Sequence, residues 1–264
     1  MSEAFPYLVV GLTAFLASGV TLYSGFGLGT ALLPVFALFF PVSTAVAGTA
    51  VVHLLNNVFK GMLLVRRAEW RIVRAFGLPA IPAALLGAWL LTRLSSSSLV
   101  FEWSVAGRVV GPTAAGLTIG IMLVALAIVE LQPWFQRLAA PRRLLPYGGL
   151  LTGFVGGLTG QQGAFRSIFL LKSGLDPAAF VATGVMIALL VDLSRIPVYA
   201  VGLSGSAGAF GKHVSLLAVA TGCAFAGAAL GVRLLRRTTI GVVRYVFAAA
   251  LILIGLTMAI GLIG

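Results

Sequence analysis

Tyr23-Ser24-Gly25-Phe26-Gly27-Leu28-Gly29 and Gly156-Gly157-Leu158-Thr159-Gly160-Gln161-Gln162-Gly163 decide the fold of this chain. Each interrupts an apolar stretch near its middle, the first between Phe5 and Phe40 and the second between Pro146 and Leu171. Glycine is costly inside a helix and frees the backbone to turn, so both stretches read as helix, loop, helix. Around them the chain is too apolar for water. It has 264 residues, 60% of them hydrophobic and 9% charged, where a soluble domain carries roughly a quarter charged residues. No Asp, Glu, Lys or Arg occurs from Ala4 to Phe59, a run worth about 84 Å of helix at roughly 1.5 Å per residue. That run must enter or cross a hydrocarbon layer about 30 Å thick more than once. Continuous hydropathy also excludes an outer-membrane barrel, whose strands alternate over about ten residues.

Further crossings are expected at Val42 to Val65, Ala75 to Thr92, Val109 to Val129, Pro177 to Leu203, Val214 to Val232 and Tyr245 to Gly264. The two breaks lie 135 positions apart, and the same offset lays Asn57 on Asp192, Lys60 on Arg195 and Ala47-Gly48-Thr49 on Ala182-Thr183-Gly184. The expected fold is therefore an all-α polytopic membrane protein built from two repeats. The first covers residues 1–136 and the second 145–264, with a basic linker at 137–144, and each repeat is one broken element plus three transmembrane helices.

The net charge of +12 is concentrated in short loops, the pattern of cytoplasmic loops rather than of a nucleic-acid surface. The clusters are Arg66, Arg67, Arg71 and Arg74; Arg137, Arg142 and Arg143; and Arg233, Arg236, Arg237 and Arg244. All three face one side only if each broken element enters and returns on that side. Three crossings then invert the second repeat relative to the first, as in many secondary transporters. Both termini are expected outside. Met-Ser-Glu-Ala at the start lacks the basic region of a signal peptide, so the first apolar run is expected to be retained. Cys223 is the single cysteine and has no disulfide partner within the chain.

Irregular backbone at membrane depth is tolerated only where protein covers it or where it lines a cavity. Gly25, Phe26, Gly27 and Gly29 at the first break, with Gly160, Gln161, Gln162 and Gly163 at the second, are accordingly the candidate substrate site. Half-helix N-termini there favour an anion. Gly149, Gly153 and Gly157 equally fit a small-residue packing seam. Arg166 stands in an apolar run, where a guanidinium needs a partner; a bound anion, the surface near Lys172, and Asp192 are the alternatives. Asp192 and Arg195 sit one turn apart, either as a structural pair or with Asp192 as a proton carrier or cation ligand and Arg195 at the substrate. Asn56 and Asn57 can bind a ligand or tie helices, and His53 reads as a satisfied interior histidine. The Ser95 to Ser98 run reads as a solvated loop. No cofactor and no metal ligand set is expected, nor ATP hydrolysis, since no Gly-Lys-Ser/Thr loop occurs.

Gly25-Phe26-Gly27-Leu28-Gly29 followed by Pro34, Pro41 and Ala47-Gly48-Thr49, and then Gly156-Gly157-Leu158-Thr159-Gly160 running to Pro177 and Ala182-Thr183-Gly184, resemble the TauE/SafE family over nearly the whole chain. Where that family usually carries more glycine, this chain has Gln161, Gln162 and Arg166. The resemblance implies export of a small sulfur-containing anion such as sulfite, thiosulfate or a sulfonate across a bacterial-type inner membrane, driven by a proton or sodium gradient. The lipid bilayer is the expected partner, nucleic acid is not, and the oligomeric state is open. A passive anion channel and a membrane-embedded enzyme are the competing classes; the second lacks an acid-base or metal constellation.

Overall fold

Apolar runs punctuated by caps dictate the helices. In the computed structural model, which describes residues 4–24, 27–105, 107–203, 214–234 and 240–263, the first broken element is α1 (Ala4–Ser24) and α2 (Leu28–Ala37). Next come α3 (Val42–Leu64), α4 (Trp70–Ser95), α5 (Ala114–Leu131) and the short α6 (Pro133–Arg137). The second broken element is α7 (Leu145–Thr159) and α8 (Gly163–Leu171), followed by α9 (Pro177–Gly202), α10 (Val214–Leu234) and α11 (Ile240–Ala259). Both expected interruptions are present. Five helices among the described residues are long and apolar enough to cross a membrane: α3 extended to Arg67, α4, α5, α9 and α10. The molecule is an all-α multi-pass membrane protein.

Helix starts follow their caps. Asp176 accepts from the N–H groups of Ala178 and Ala179 at 2.9 Å each, with Pro177 at the first position of α9. Thr113 caps α5 through the Gly116 N–H at 3.1 Å. That cap corrects one expected boundary: Val109 lies in a two-stranded hairpin, β1 (Trp103–Val105) paired antiparallel with β2 (Arg108–Val110), and the crossing begins at Ala114. An apolar run cannot by itself distinguish a short strand from the start of a helix. The Ser95 to Ser98 stretch is likewise partly helical, since Ser95 ends α4 and its hydroxyl donates back to Leu91 O.

Close backbone approach organises the packing. Gly149, Gly153 and Gly157 recur every four residues along one face of α7, and a Cβ on any of them would collide with the carbonyl oxygen of Phe76, Ala80 or Ala84 on α4. These three glycines are the packing seam, as one reading of their spacing had it. Gly227 brings α10 equally close to Phe15 O on α1, and Gly120 and Gly255 face one another between α5 and α11. α3 packs against α9. Large apolar side chains such as Met62, Leu8 and Val201 cover the outside, a surface suited to lipid.

The second broken element is a hairpin with its two ends tied together. The Ala140 N–H, ahead of α7, donates to Ile168 O in α8 at 3.0 Å, and Arg142 donates to Ser173 O. Leu145, Leu170, Ile72, Val73 and Val185 share one buried cluster, so the starts of α4, α7 and α9 and the end of α8 lie at the same end of the molecule. The Glu69 N–H donates to Thr183 Oγ1 at 3.0 Å, which brings the first basic loop to that end as well. Arg236 and Arg237 of the third basic cluster lie outside the described residues.

Candidate functional site

Gly160 ends α7 in the left-handed region at φ +81°, a conformation open to glycine at no steric cost. The break leaves carbonyls of the last turn without helical partners. The Gln161 N–H, which would have bonded Gly157 O in a continuing helix, donates to Thr159 Oγ1 at 3.2 Å, and Tyr199 OH donates to Gly157 O instead. Gly156 O accepts from Arg195 Nη1 at 2.6 Å. The first break lies against the second: a Cβ at Gly29 would sit 2.9 Å from Gly160 O. Neither Gly27, which caps α2 in an extended conformation, nor Gln162, which caps α8, makes a side-chain cap bond. The first two amides of each half-helix, which have no intrahelical acceptor, therefore receive no side-chain cap from these residues, while the Thr30 N–H donates to Gly27 O at 3.0 Å.

α9 carries Gly184, Ala188, Val191, Asp192, Arg195 and Tyr199 on one buried face, the three-to-four spacing of a single helix side. Asp192, fully buried, is the hub. Its Oδ1 accepts from Arg195 Nη2 at 2.7 Å, Arg195 Nε at 3.1 Å and Gln162 Nε2 at 3.3 Å. Its Oδ2 lies 2.6 Å from His53 Nδ1 and accepts from Asn57 Nδ2 at 3.3 Å. A carboxylate offers only acceptors, so His53 carries its proton on Nδ1. The 3.0 Å approach of Asn57 Nδ2 to that nitrogen then brings two donors together and is not a bond, and the Asn57 amide is directed at Asp192. Asn56 Oδ1 accepts from Ser18 Oγ at 3.1 Å, tying α3 to α1 as helix-joining asparagines do.

α3 and the start of α8 thus meet α9 at Asp192, and these elements carry more cation than anion. Lys60 on α3 is buried at 6% exposure and Arg195 is fully buried. Arg166 on α8 lies against α9, where a Cβ at Gly184 would stand 3.3 Å from its Nε, and it feels the charges of Asp192 and Lys60. Its Nη1 is buried without a hydrogen-bond partner, as are Gln161 Nε2, Asn56 Nδ2 and Gln162 Oε1. Arg166 makes no ion pair with Asp192 among the described residues, and although the residue as a whole is half-buried, its Nη1 faces inward.

Of the residues singled out from the sequence, Gly29, Asn57, Gly160, Gln162, Asp192 and Arg195 meet directly, and Gly27, Gln161, Gly163 and Arg166 border them. Gly25 and Phe26 lie outside the described residues. Three further residues take part. His53 is a satisfied interior histidine, as expected, but what satisfies it is an acid 139 positions away. Lys60 and Tyr199 are not among the site residues that the sequence singles out. A signal for the first two was present: Thr49, His53, Asn56, Asn57 and Lys60 form a polar stripe with helical period inside an apolar run, all of it buried.

Searches among curated proteins and among solved structures returned no match. The family described as Sulfite exporter TauE/SafE matches residues 10–258, which takes in both breaks, the Asp192 hub and every helix that meets there. The chain belongs to the sulfite exporter TauE/SafE family.

Proposed function

We propose that the protein is a secondary transporter that exports a small sulfur-containing anion, sulfite, thiosulfate or a sulfonate, held between the two helix breaks near the middle of a bacterial-type inner membrane. The observation that carries this reading is the surplus of buried donors around one carboxylate. Asp192 balances Arg195, while Arg166 and Lys60 add positive charge and Arg166 Nη1 and Gln161 Nε2 lack acceptors. Uncompensated charge and unmet donors at this depth are costly. An oxyanion supplies the missing acceptors and the missing charge together, and guanidinium grips two of its oxygens at once. The first amides of α2 and α8 add positive partial charge on two sides. Gly25, Phe26, Gly27, Gly29, Asn57, Gly160, Gln161, Gln162, Gly163, Arg166 and Arg195 form the substrate site, and Asp192 serves coupling to a proton or sodium ion.

The alternating site rests on two inverted repeats, residues 1–136 and 145–264, joined by a cytoplasmic linker at 137–144. Three observations support that division. The first half of each broken element packs on the corresponding helix of the other half, α1 on α10 and α7 on α4, while α3 meets α9 and α5 meets α11. Asn57 and Asp192, equivalent at the offset of 135, hydrogen-bond one another. The α7–α8 element returns to the end from which it starts, as a re-entrant hairpin requires.

Purified protein in liposomes tests the function. Sulfite efflux should saturate and should be accelerated by sulfite on the opposite side, the behaviour of a carrier. Flux that rises linearly with concentration, without countertransport, belongs to a channel and refutes the reading; thiosulfate, sulfate, sulfoacetate and taurine offered in the same assay rank the substrates.

A further inference from the structure

We propose that His53 is the proton-binding group of the anion site, taking up a proton on Nε2 as the anion binds and donating that N–H toward it. The inference rests on the anion reading above and deepens it by placing the coupling proton on the histidine that Asp192 holds, with Asp192 serving coupling through that hydrogen bond. Asp192 cannot easily hold that proton, because its two oxygens already face five donors, from Arg195 twice, Gln162, His53 and Asn57, and an ionised carboxylate has about four lone-pair sites. Asp192 instead fixes the imidazole. With Nδ1–H held on Oδ2 at 2.6 Å, the neutral ring has its lone pair on Nε2.

Nε2 is directed at the first break, since a Cβ at Gly27 would lie 4.0 Å from it. Among the described residues its one hydrogen-bond contact is Asn57 Nδ2 at 3.5 Å, an amide that also donates to Asp192, and Thr30 Oγ1 borders the same Gly27 position. Protonation at Nε2 therefore gives up at most the long 3.5 Å contact with the second N–H of Asn57. It turns the acceptor into a donor at the start of α2, and the imidazolium keeps its carboxylate partner. Histidine is the side chain whose charge ordinarily changes between about pH 5 and 8.

The charged and titratable groups around the ring are few. Asp192 bonds it from α9, Arg195 lies on the other oxygen of that carboxylate with Tyr199 one turn further along α9, Arg166 lies against α9 from α8, and Lys60 lies two turns along its own helix α3. The described residues of α2 and α10 carry no charged side chain toward it. Arg166 and Lys60 disfavour a further positive charge, and a bound anion removes that penalty. Proton and anion thus help one another to bind, so anion affinity falls as pH rises, by up to tenfold per pH unit.

Calorimetry with sulfite on the detergent-purified protein, in buffers of different ionisation enthalpy, counts the protons taken up per anion. Comparison of the wild type with His53→Gln cancels sulfite's own protonation, and methanesulfonate, ionised throughout the range, serves as a second probe. The wild type should take up more protons per anion than His53→Gln, by up to one, and only the wild type should lose methanesulfonate affinity with rising pH. Equal proton counts and parallel pH profiles would overturn the assignment while leaving the anion site intact; a wild type that binds neither anion overturns both. If His53→Gln does not fold, nitrogen-15 NMR of histidine-labelled wild type decides, with the second histidine, His213, identified by His213→Gln. Saturating sulfite at fixed pH should convert the neutral Nδ1–H form of His53 to imidazolium, and a ring that stays neutral refutes the proposal.

Discussion

Asp192→Asn probes the hub of the site with little change in volume, so a cavity contributes almost nothing to its effect. The carboxylate accepts from Arg195 Nη2 and Nε and from Gln162 on one oxygen, and from His53 and Asn57 on the other. A carboxamide keeps one acceptor oxygen and puts two N–H groups where the second was. Whichever way it turns, an NH2 group meets donors. If it faces His53, the imidazole can shift its proton to Nε2 and accept on Nδ1. Arg195 nevertheless loses its counter-charge at zero exposure. Removing one partner of a buried pair costs roughly 3–5 kcal/mol in soluble proteins. At about 2–4 °C per kcal/mol for chains of comparable length, the melting temperature should fall by roughly 6–20 °C. Asn57→Ala removes a single 3.3 Å bond to the same carboxylate, worth about 1.5–3 kcal/mol at most, and should cost less. Thermal unfolding of both variants in one detergent, followed by tryptophan fluorescence, with sulfite binding measured on the folded fraction, separates stability from recognition. An Asp192→Asn protein that melts within about 2 °C of the wild type, or below which Asn57→Ala falls, would refute the hub.

Arg166→Lys keeps the charge but loses the fork and should weaken sulfite binding about 10- to 150-fold, the worth of one charge-assisted bond at 1.4 kcal/mol per decade; Arg166→Ala should abolish binding in calorimetry. Wild-type affinity in Arg166→Ala would move the site elsewhere. Gly157→Val drives a side chain into the Ala84 carbonyl across the α4–α7 seam and should lower stability by about 1–3 kcal/mol or more, read as a lower melting temperature, whereas the same change at the open Gly222 should be silent. Cysteines placed at Ser97 and at Arg143, both exposed, in a Cys223→Ser background should label from opposite faces of intact cells; labelling of both by an impermeant reagent from outside would break the proposed topology.

Every expected helical stretch contains a helix, and both interruptions are where glycine and polar residues were read as breaking one. Hydropathy and glycine cost act within a single segment, so one-dimensional sequence carries them. The same is true of the Asp192–Arg195 pair, because an i, i+3 contact follows from helix geometry alone. The β1–β2 hairpin was not legible, since a few apolar residues ahead of a helix have no period long enough to read. Gly149, Gly153 and Gly157 had two meanings in sequence, packing seam or ligand loop. The carbonyls of Phe76, Ala80 and Ala84 on another helix chose between them.

What the sequence by itself determined was the solvent of this protein, the positions of its helices and breaks, and its family. Composition and local periodicity decide those, and the bilayer's thickness converts them into crossings. Only the tertiary structure decided which polar groups meet. His53 and Asp192 stand 139 positions apart, and nothing local to either points to the other. Arg166 is flanked by apolar residues whether it reaches the surface or the interior. Its unpaired Nη1 emerges only once α8 is laid against α9. A membrane interior leaves buried polar groups no water to fall back on. Their pairing is therefore settled by which helices pack together, and that depends on the whole chain rather than on any one segment of it.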